Sequence, residues 1–389
     1  MNMKYVCFNP VRNIFSLCCY RAILLSLFLI NGETKAASEV QQISGGGYHS
    51  LALKSDGTIW AWGLNKHGQL GDGTYKNRSK PVKVNGIDHV VEIAGGVWHS
   101  LALKSDGTVW AWGGNWERQL GDDTTKSRGI PAKVIGLEEI TAIACGGLHN
   151  LALKPDGTVW TWGSNGHGQL GDWTTKNHAF PTRVQILNNI TAIAGGGYHS
   201  LALKSNGTVW AWGSNRRGQL GDGTDKSRSA PFQVRNLHDV VAIAGGGDHS
   251  LALQSDGTVW TWGNNEVAQL GDGTTTNRNT PVHIPVLKEI VFIAGGIWHS
   301  MALESDGTVW LWGRNEFSQL HDGVYLPEQT NLINNVVAIA SGSYHSLFLR
   351  SDHSLWSCGN NIQGQLGDGT VGNKHTLVPV DTSAPDFSQ

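Results

Sequence analysis

The sequence carries no excess of charge of either sign: 29 Lys and Arg stand against 31 Asp and Glu. With that near balance and no basic run, nothing electrostatic points to nucleic acid or an anionic membrane surface as a partner. Charged residues make up only 15% of the chain, fewer than suits a helical protein. Cysteine is sparse as well. Cys7, Cys18 and Cys19 precede residue 37, and only Cys145 and Cys358 follow it. These two fall in separate repeats, beyond disulfide reach of each other, so a packed core rather than covalent bridges must hold the fold. The apolar stretch 22–30 has nine residues, too few to span a bilayer.

Glycine and tryptophan are abundant, at 51 and 17 residues, and they indicate short strands with many tight turns. The first 36 residues differ from everything after them. Lys4, Arg12 and Arg21 precede the apolar stretch, polar residues 31–35 follow it, and small Ala36 and Ala37 come next. That order is the order of a secretory signal cleaved near Ala36, and it predicts a secreted or periplasmic protein with no stable membrane span once the signal is removed. The chain divides accordingly into a signal-peptide-like segment (1–36), a single repeat domain (37–382) and a short tail (383–389).

The repeat dominates the domain. A His followed by Ser or Asn recurs at His49, His99, His149, His199, His249, His299 and His345, with a spacing of 50 five times and then 46. The four missing residues fall in the sixth copy, around His321 to Pro327. Each unit shows four extended segments, seen in the fourth copy near residues 190–194, 200–203 and 209–213 and after Pro231. Asn206-Gly207 joins the second and third, and Asp-Gly stands there in five other copies; this is a two-residue hairpin signal that demands positive φ. A lone four-stranded meander cannot bury its faces, so the copies must stack. Radial stacking of seven gives an all-β fold, a seven-bladed β-propeller of four-stranded antiparallel blades, in preference to an open solenoid. The Ala-Gly-Gly run of the first segment suits the crowded axis. Trp210 and Trp212 lie two apart on one strand face, placed to pack between blades.

The strings H-S-L-A-L-K-S-D-G-T-V-W-A-W-G and N-x-x-x-Q-L-G-D-G-T resemble the repeat of the regulator of chromosome condensation family over about residues 40–380. The resemblance implies a propeller that binds proteins on one face. Relatives of that kind include a nucleotide exchange factor for the small GTPase Ran, ultraviolet-B photoreceptors, ubiquitin-ligase subunits and secreted bacterial inhibitors. In the exchange factor an acidic residue and a histidine, each just before the repeat His on different blades, face the GTPase. Asp248 fits the acidic place here, but no histidine occupies the other six. Ultraviolet sensing would need several tryptophans at that position on adjacent blades, and only Trp98 and Trp298 stand there.

Residues common to all seven copies are structural, so specificity must lie where the copies differ. The repeat His and its following Ser point to opposite faces of their strand and cannot form a nucleophile-base pair. The Asp of G-D-G-T is a turn residue. Without a phosphate-cradling loop, a metal-ligand cluster or a nucleophile constellation in one copy, no enzyme and no cofactor are expected. The copies differ just before the repeat His and just after the third strand, two loops that emerge at the same end of a meander. Tyr48, Trp98, Trp116, Tyr198, Asp248, Trp298, Phe317 and Tyr344 are the predicted binding residues. Trp98 with Trp116 and Trp298 with Phe317 are the strongest pairs. This composition matches a protein-binding hot spot and also suits stacking on a glycan, with a protein partner expected and a small GTPase as the alternative.

Overall fold

A computed structural model describes residues 38–314 and 325–381. The signal-like segment and Phe317 lie outside these residues. The described chain forms seven sheets, each built from four consecutive antiparallel strands. The first blade holds β1 (Val40–Gly45), β2 (His49–Lys54), β3 (Ile59–Gly63) and β4 (Arg78–Lys83), and the last holds β25 (Val336–Ser341) to β28 (Lys374–Pro379). The expected seven-bladed β-propeller is therefore the fold.

Ring closure, which the sequence leaves open, involves no exchange of strands between the first and last blades among the described residues. The seventh blade meets the first through the same two kinds of contact that join blades one to six to one another. Ser343 N donates to Gly46 O across 3.0 Å, and Trp62 Nε1 donates to Gln365 O across 2.9 Å. First strands of neighbouring blades approach so closely that a Cβ on Gly45 would lie 2.4 Å from the main-chain N of Gly342. That distance is the physical reason for the small residues at the axis.

Two local expectations are corrected. The turn between second and third strands is a three-residue loop, not a two-residue one. In the first blade Gly57 N bonds Lys54 O, Lys54 N bonds Thr58 O, and only Gly57 (φ 78°) is left-handed. A type I turn followed by one left-handed residue gives this pattern, so glycine is required once and the Asp before it serves another purpose. Asp56 Oδ1 accepts from Thr58 N and Oγ1 at 2.9 and 2.6 Å. The fourth strand, moreover, starts before its proline: β16 (Arg228–Gln233) carries Pro231 inside it. An outer edge strand tolerates the missing N–H, and the pairing register shifts between Ala211 and Gly213.

The core lies between blades, and the two tryptophans that the third strand carries in blades one to six have different duties, as the fourth blade shows. Trp212 is wholly buried among Leu151, Leu153, Val159 and Val184 of the preceding blade. Its Nε1 donates to Gln169 O at 2.8 Å. Trp210, two residues earlier and nearer the hairpin end, is only partly buried, with Lys204 Nζ 4.5 Å from its ring centroid. Cys358, in the place of the inner tryptophan, is buried in the seventh blade, and Cys145 and Cys358 are both free thiols.

Candidate functional site: one rim of the propeller

The rim rests on a polar ring that local sequence reasoning missed. Each repeat His meets the residue after the repeat His of the next blade, a Ser in six blades and Asn150 in the third, and not its own. His49 Nε2 lies 2.9 Å from Ser100 Oγ, and the circuit continues blade by blade until His345 Nε2 lies 2.8 Å from Ser50 Oγ. Each such Ser for which the bond is described donates onward to the main-chain O of a Gln on the preceding blade, as Ser100 does to Gln69 O at 2.9 Å. That same carbonyl accepts Trp112 Nε1 at 2.9 Å. With the serine proton committed to a carbonyl, the histidine must be the donor to Oγ. The seven histidines are fully buried. Burial holds them neutral: desolvation pushes His49, His149, His249 and His345 down to about 3, with repulsion from a neighbouring ring His adding to it, and pushes His99, His199 and His299 down to about 4. This is a structural clasp, sealed from any substrate.

Above the ring, the residues preceding each His stand on one end of the propeller. Tyr344, Tyr48 and Trp98, from the seventh, first and second blades, form a continuous series with ring centroids 5.5 and 6.0 Å apart and planes tilted by 33° and 35°. Trp98 continues to Trp116 at 6.2 Å. His67, from the loop after β3, stands edge-on between them at 5.4 and 4.9 Å. Trp116 is 40% exposed. The two loops expected to share an end do so here, and three adjacent blades give one aromatic surface.

The other predicted residues lie apart from it. Tyr198 is exposed and meets His167 edge-on at 5.1 Å. Trp298 has the Arg314 guanidinium 5.8 Å from its ring centroid; its proposed companion Phe317 lies outside the described residues. Asp248 is partly buried. It accepts Gln219 Nε2 at 2.8 Å, and desolvation raises its carboxyl above the ordinary value against the opposing pull of Arg217. Arg217 in turn pairs with Glu266 at 2.5 Å. The rim is thus aromatic over blades seven, one and two, and polar around blades four and five.

The outer loops are built on the repeated Asp. Asp72 Oδ1 takes Thr74 N and Asn65 Nδ2, while Arg78 reaches Oδ2 at 2.8 Å. Hydrogen bonds from Thr74 and Arg78 hold this carboxyl below the usual carboxylate range despite its burial. In the third blade a histidine replaces the arginine: His178 Nε2 lies 2.8 Å from Asp172 Oδ2, and its Nδ1 lies 2.7 Å from Thr182 Oγ1. Among the described residues no group of three or more His, Cys, Asp or Glu side chains gathers as a metal site.

A closed propeller of seven near-identical blades, with identity at the clasp and variety on one rim, defines a class of repeat propeller. The comparisons place the chain within it. Residues 186–388 match the RCC1-like domain, and residues 56–103, 106–153 and 156–203 match the regulator of chromosome condensation (RCC1) repeat. The chain belongs to this RCC1-like family. Among solved structures it is similar to human WBSCR16 (24% identity, TM-score 0.75, 83% of this chain and 94% of that one). It is also similar to Prp20p of Saccharomyces cerevisiae, a protein described with binding to Gsp1p and histones (25% identity, TM-score 0.76, 86% and 88%). The ultraviolet-B receptor UVR8 of Arabidopsis thaliana is 46% identical over 52 residues, a match spanning 13% of this chain and 12% of that receptor.

Proposed function

We propose that this chain is an extracytoplasmic binding protein that holds a protein partner on the aromatic part of its rim. The observation that carries this reading is the unbroken series Tyr344, Tyr48, Trp98 and Trp116 across three blades. Rigid aromatic side chains present large contact area at low entropic cost, and interfaces concentrate their affinity in such residues. The blades that hold the series are fixed by the buried clasp, so the surface is preformed and little ordering opposes binding. The extracytoplasmic setting rests on the signal-like order of residues 1–36.

The test is affinity capture with the mature propeller against a variant carrying Trp98→Ala and Trp116→Ala. The reading predicts a protein retained by the first and lost by the second. Equal retention by both sinks it, and release of the captured material by free sugars in place of protein would reassign the surface to a glycan.

A second reading is nucleotide exchange on a Ran-like GTPase. Asp248 on the rim and the similarity to Prp20p favour it. Acceleration of nucleotide release from such a GTPase, lost in Asp248→Ala, would establish it over the first.

A further inference from the structure

The outer loops of the same end are unevenly charged. In the loops after the third strands of blades one to four (residues 64–78, 114–128, 164–178 and 214–228) eleven Lys and Arg stand against seven Asp and Glu. The corresponding loop of blade five has one basic residue against two acidic ones, and that of blade seven is balanced. The excess comes from blades one and four, at three basic residues against one acidic and four against two, while the loops of blades two and three between them are balanced, so a chain with a net charge of −2 carries about two positive charges at each flank of this half of the end. Lys76, Lys126, Lys176 and Lys226 stand at one repeat position of these four loops, and all four are exposed. Each has its main-chain N held by the Thr two residues before it at 3.3 Å, so the four start from the same backbone and form an arc, one per blade. The arginines beside them are engaged with the repeated Asp in three of the four blades.

Trp173 lies within that arc and is independent of its charge. Its N donates to Ser229 O at 2.8 Å, the bond that Gly73, Gly223 and Gly369 make to their own next blades. The bond requires a left-handed backbone, which Trp173 adopts at φ 69° while 67% exposed. A bulky residue is rarely found so, and such strain persists where a function uses it.

We propose that this arc binds an acidic segment of the partner protein, with Trp173 as an apolar anchor between Lys126 and Lys226. The inference rests on the proposed protein-binding function and names the chemistry of the partner. A protein segment is favoured over nucleic acid because exposed Asp123 and Asp225 interrupt the basic arc. A continuous phosphate track would meet both, whereas spaced carboxylates pass them.

The experiment measures binding of a fluorescein-labelled peptide of alternating Glu and Gly with one central Leu to the mature propeller. A duplex oligonucleotide and phosphatidylserine vesicles run as separate arms. Peptide binding is expected at low salt, weakening about tenfold or more as the ionic strength rises toward 1 M. Lys76→Glu, Lys126→Glu, Lys176→Glu and Lys226→Glu combined should abolish it. Trp173→Gly should weaken it severalfold without lowering the unfolding midpoint, since glycine suits the backbone. Absence of peptide binding, indifference to the charge reversal, or tighter binding of the oligonucleotide or vesicles overturns the proposal. If the fourfold lysine variant still captures a partner that Trp98→Ala with Trp116→Ala loses, the arc is refuted while the aromatic rim stands.

Discussion

His99 donates its Nε2–H to Oδ1 of Asn150 on the next blade across 2.7 Å, and the same asparagine donates Nδ2–H to Gln119 O across 2.7 Å. Asn150 is the one copy without serine at this place, and it fixes the direction of the circuit, because an amide has separate donor and acceptor atoms where a hydroxyl has one. The clasp is a relay in which every blade both gives and takes. Asn150→Ser should leave stability within about 1 kcal/mol, since serine closes the other six links. Asn150→Leu strands a buried imidazole donor and should cost on the order of 2 to 3 kcal/mol. Urea unfolding of the two variants checks this.

The same ring predicts acid lability. The folded histidines titrate at about 3 to 4, below their ordinary 6.5. The unfolded chain therefore binds protons first, and the stabilising contribution is fully present above pH 6.5 and lost as pH falls toward 4. By pH 5 each buried histidine destabilises the fold by about 2 kcal/mol. The Asp carboxyls of the outer loops are held low and titrate below this window, so they add only at lower pH. Urea midpoints measured from pH 7 to 5 should drop steeply, with fewer protons taken up in a His199→Gln variant. A flat profile would contradict the neutral ring.

Glycines at the rim separate by position. A Cβ on Gly46 would stand 2.2 Å from His49 Cε1 and 2.7 Å from Gly96 O, whereas one on Gly166 meets nothing within 4 Å. Gly46→Ala should disrupt the joint between blades one and two and cost several kcal/mol, in the range of other overpacked sites. Gly166→Ala should be neutral or stabilise by up to about 1 kcal/mol. Thermal unfolding distinguishes them.

Much of this fold was legible in the sequence because each blade is a local meander, and a 50-residue period exposes its strands, hairpins and turn residues directly. Two-residue spacing placed Trp210 and Trp212 on one face correctly, but which of them is wholly buried depends on the neighbouring blade. The His-Ser clasp was missed for the same reason: reasoning along one strand shows His199 and Ser200 diverging, and only the packing of copies brings His199 to Ser250. The joint presence of His, Ser and Gln in nearly every copy was the available signal. On the rim, the shared end of the two variable loops followed from meander topology. The grouping into an aromatic half and a polar half did not, since it depends on which blades are adjacent around a closed ring. Trp173 escaped because its strain is a backbone property, visible only once the glycines of the other blades are known to be left-handed.

The surface aromatics should matter to binding and little to folding. Trp98→Ala combined with Trp116→Ala should weaken partner binding by at least about tenfold. Its urea midpoint should stay near that of the parent, because Trp116 is exposed and the buried indoles are those of the third strands. A large loss of stability would make these residues caps on the core.

Hydrogen exchange of the mature propeller with and without its captured partner tests the location of the site most directly. Slowed exchange should appear at residues 46–48, 64–67, 96–98 and 114–118, with the hairpin turns at 55–57 and 105–107 on the opposite end unchanged. Protection of those turns, with the rim loops exchanging as before, would contradict the account.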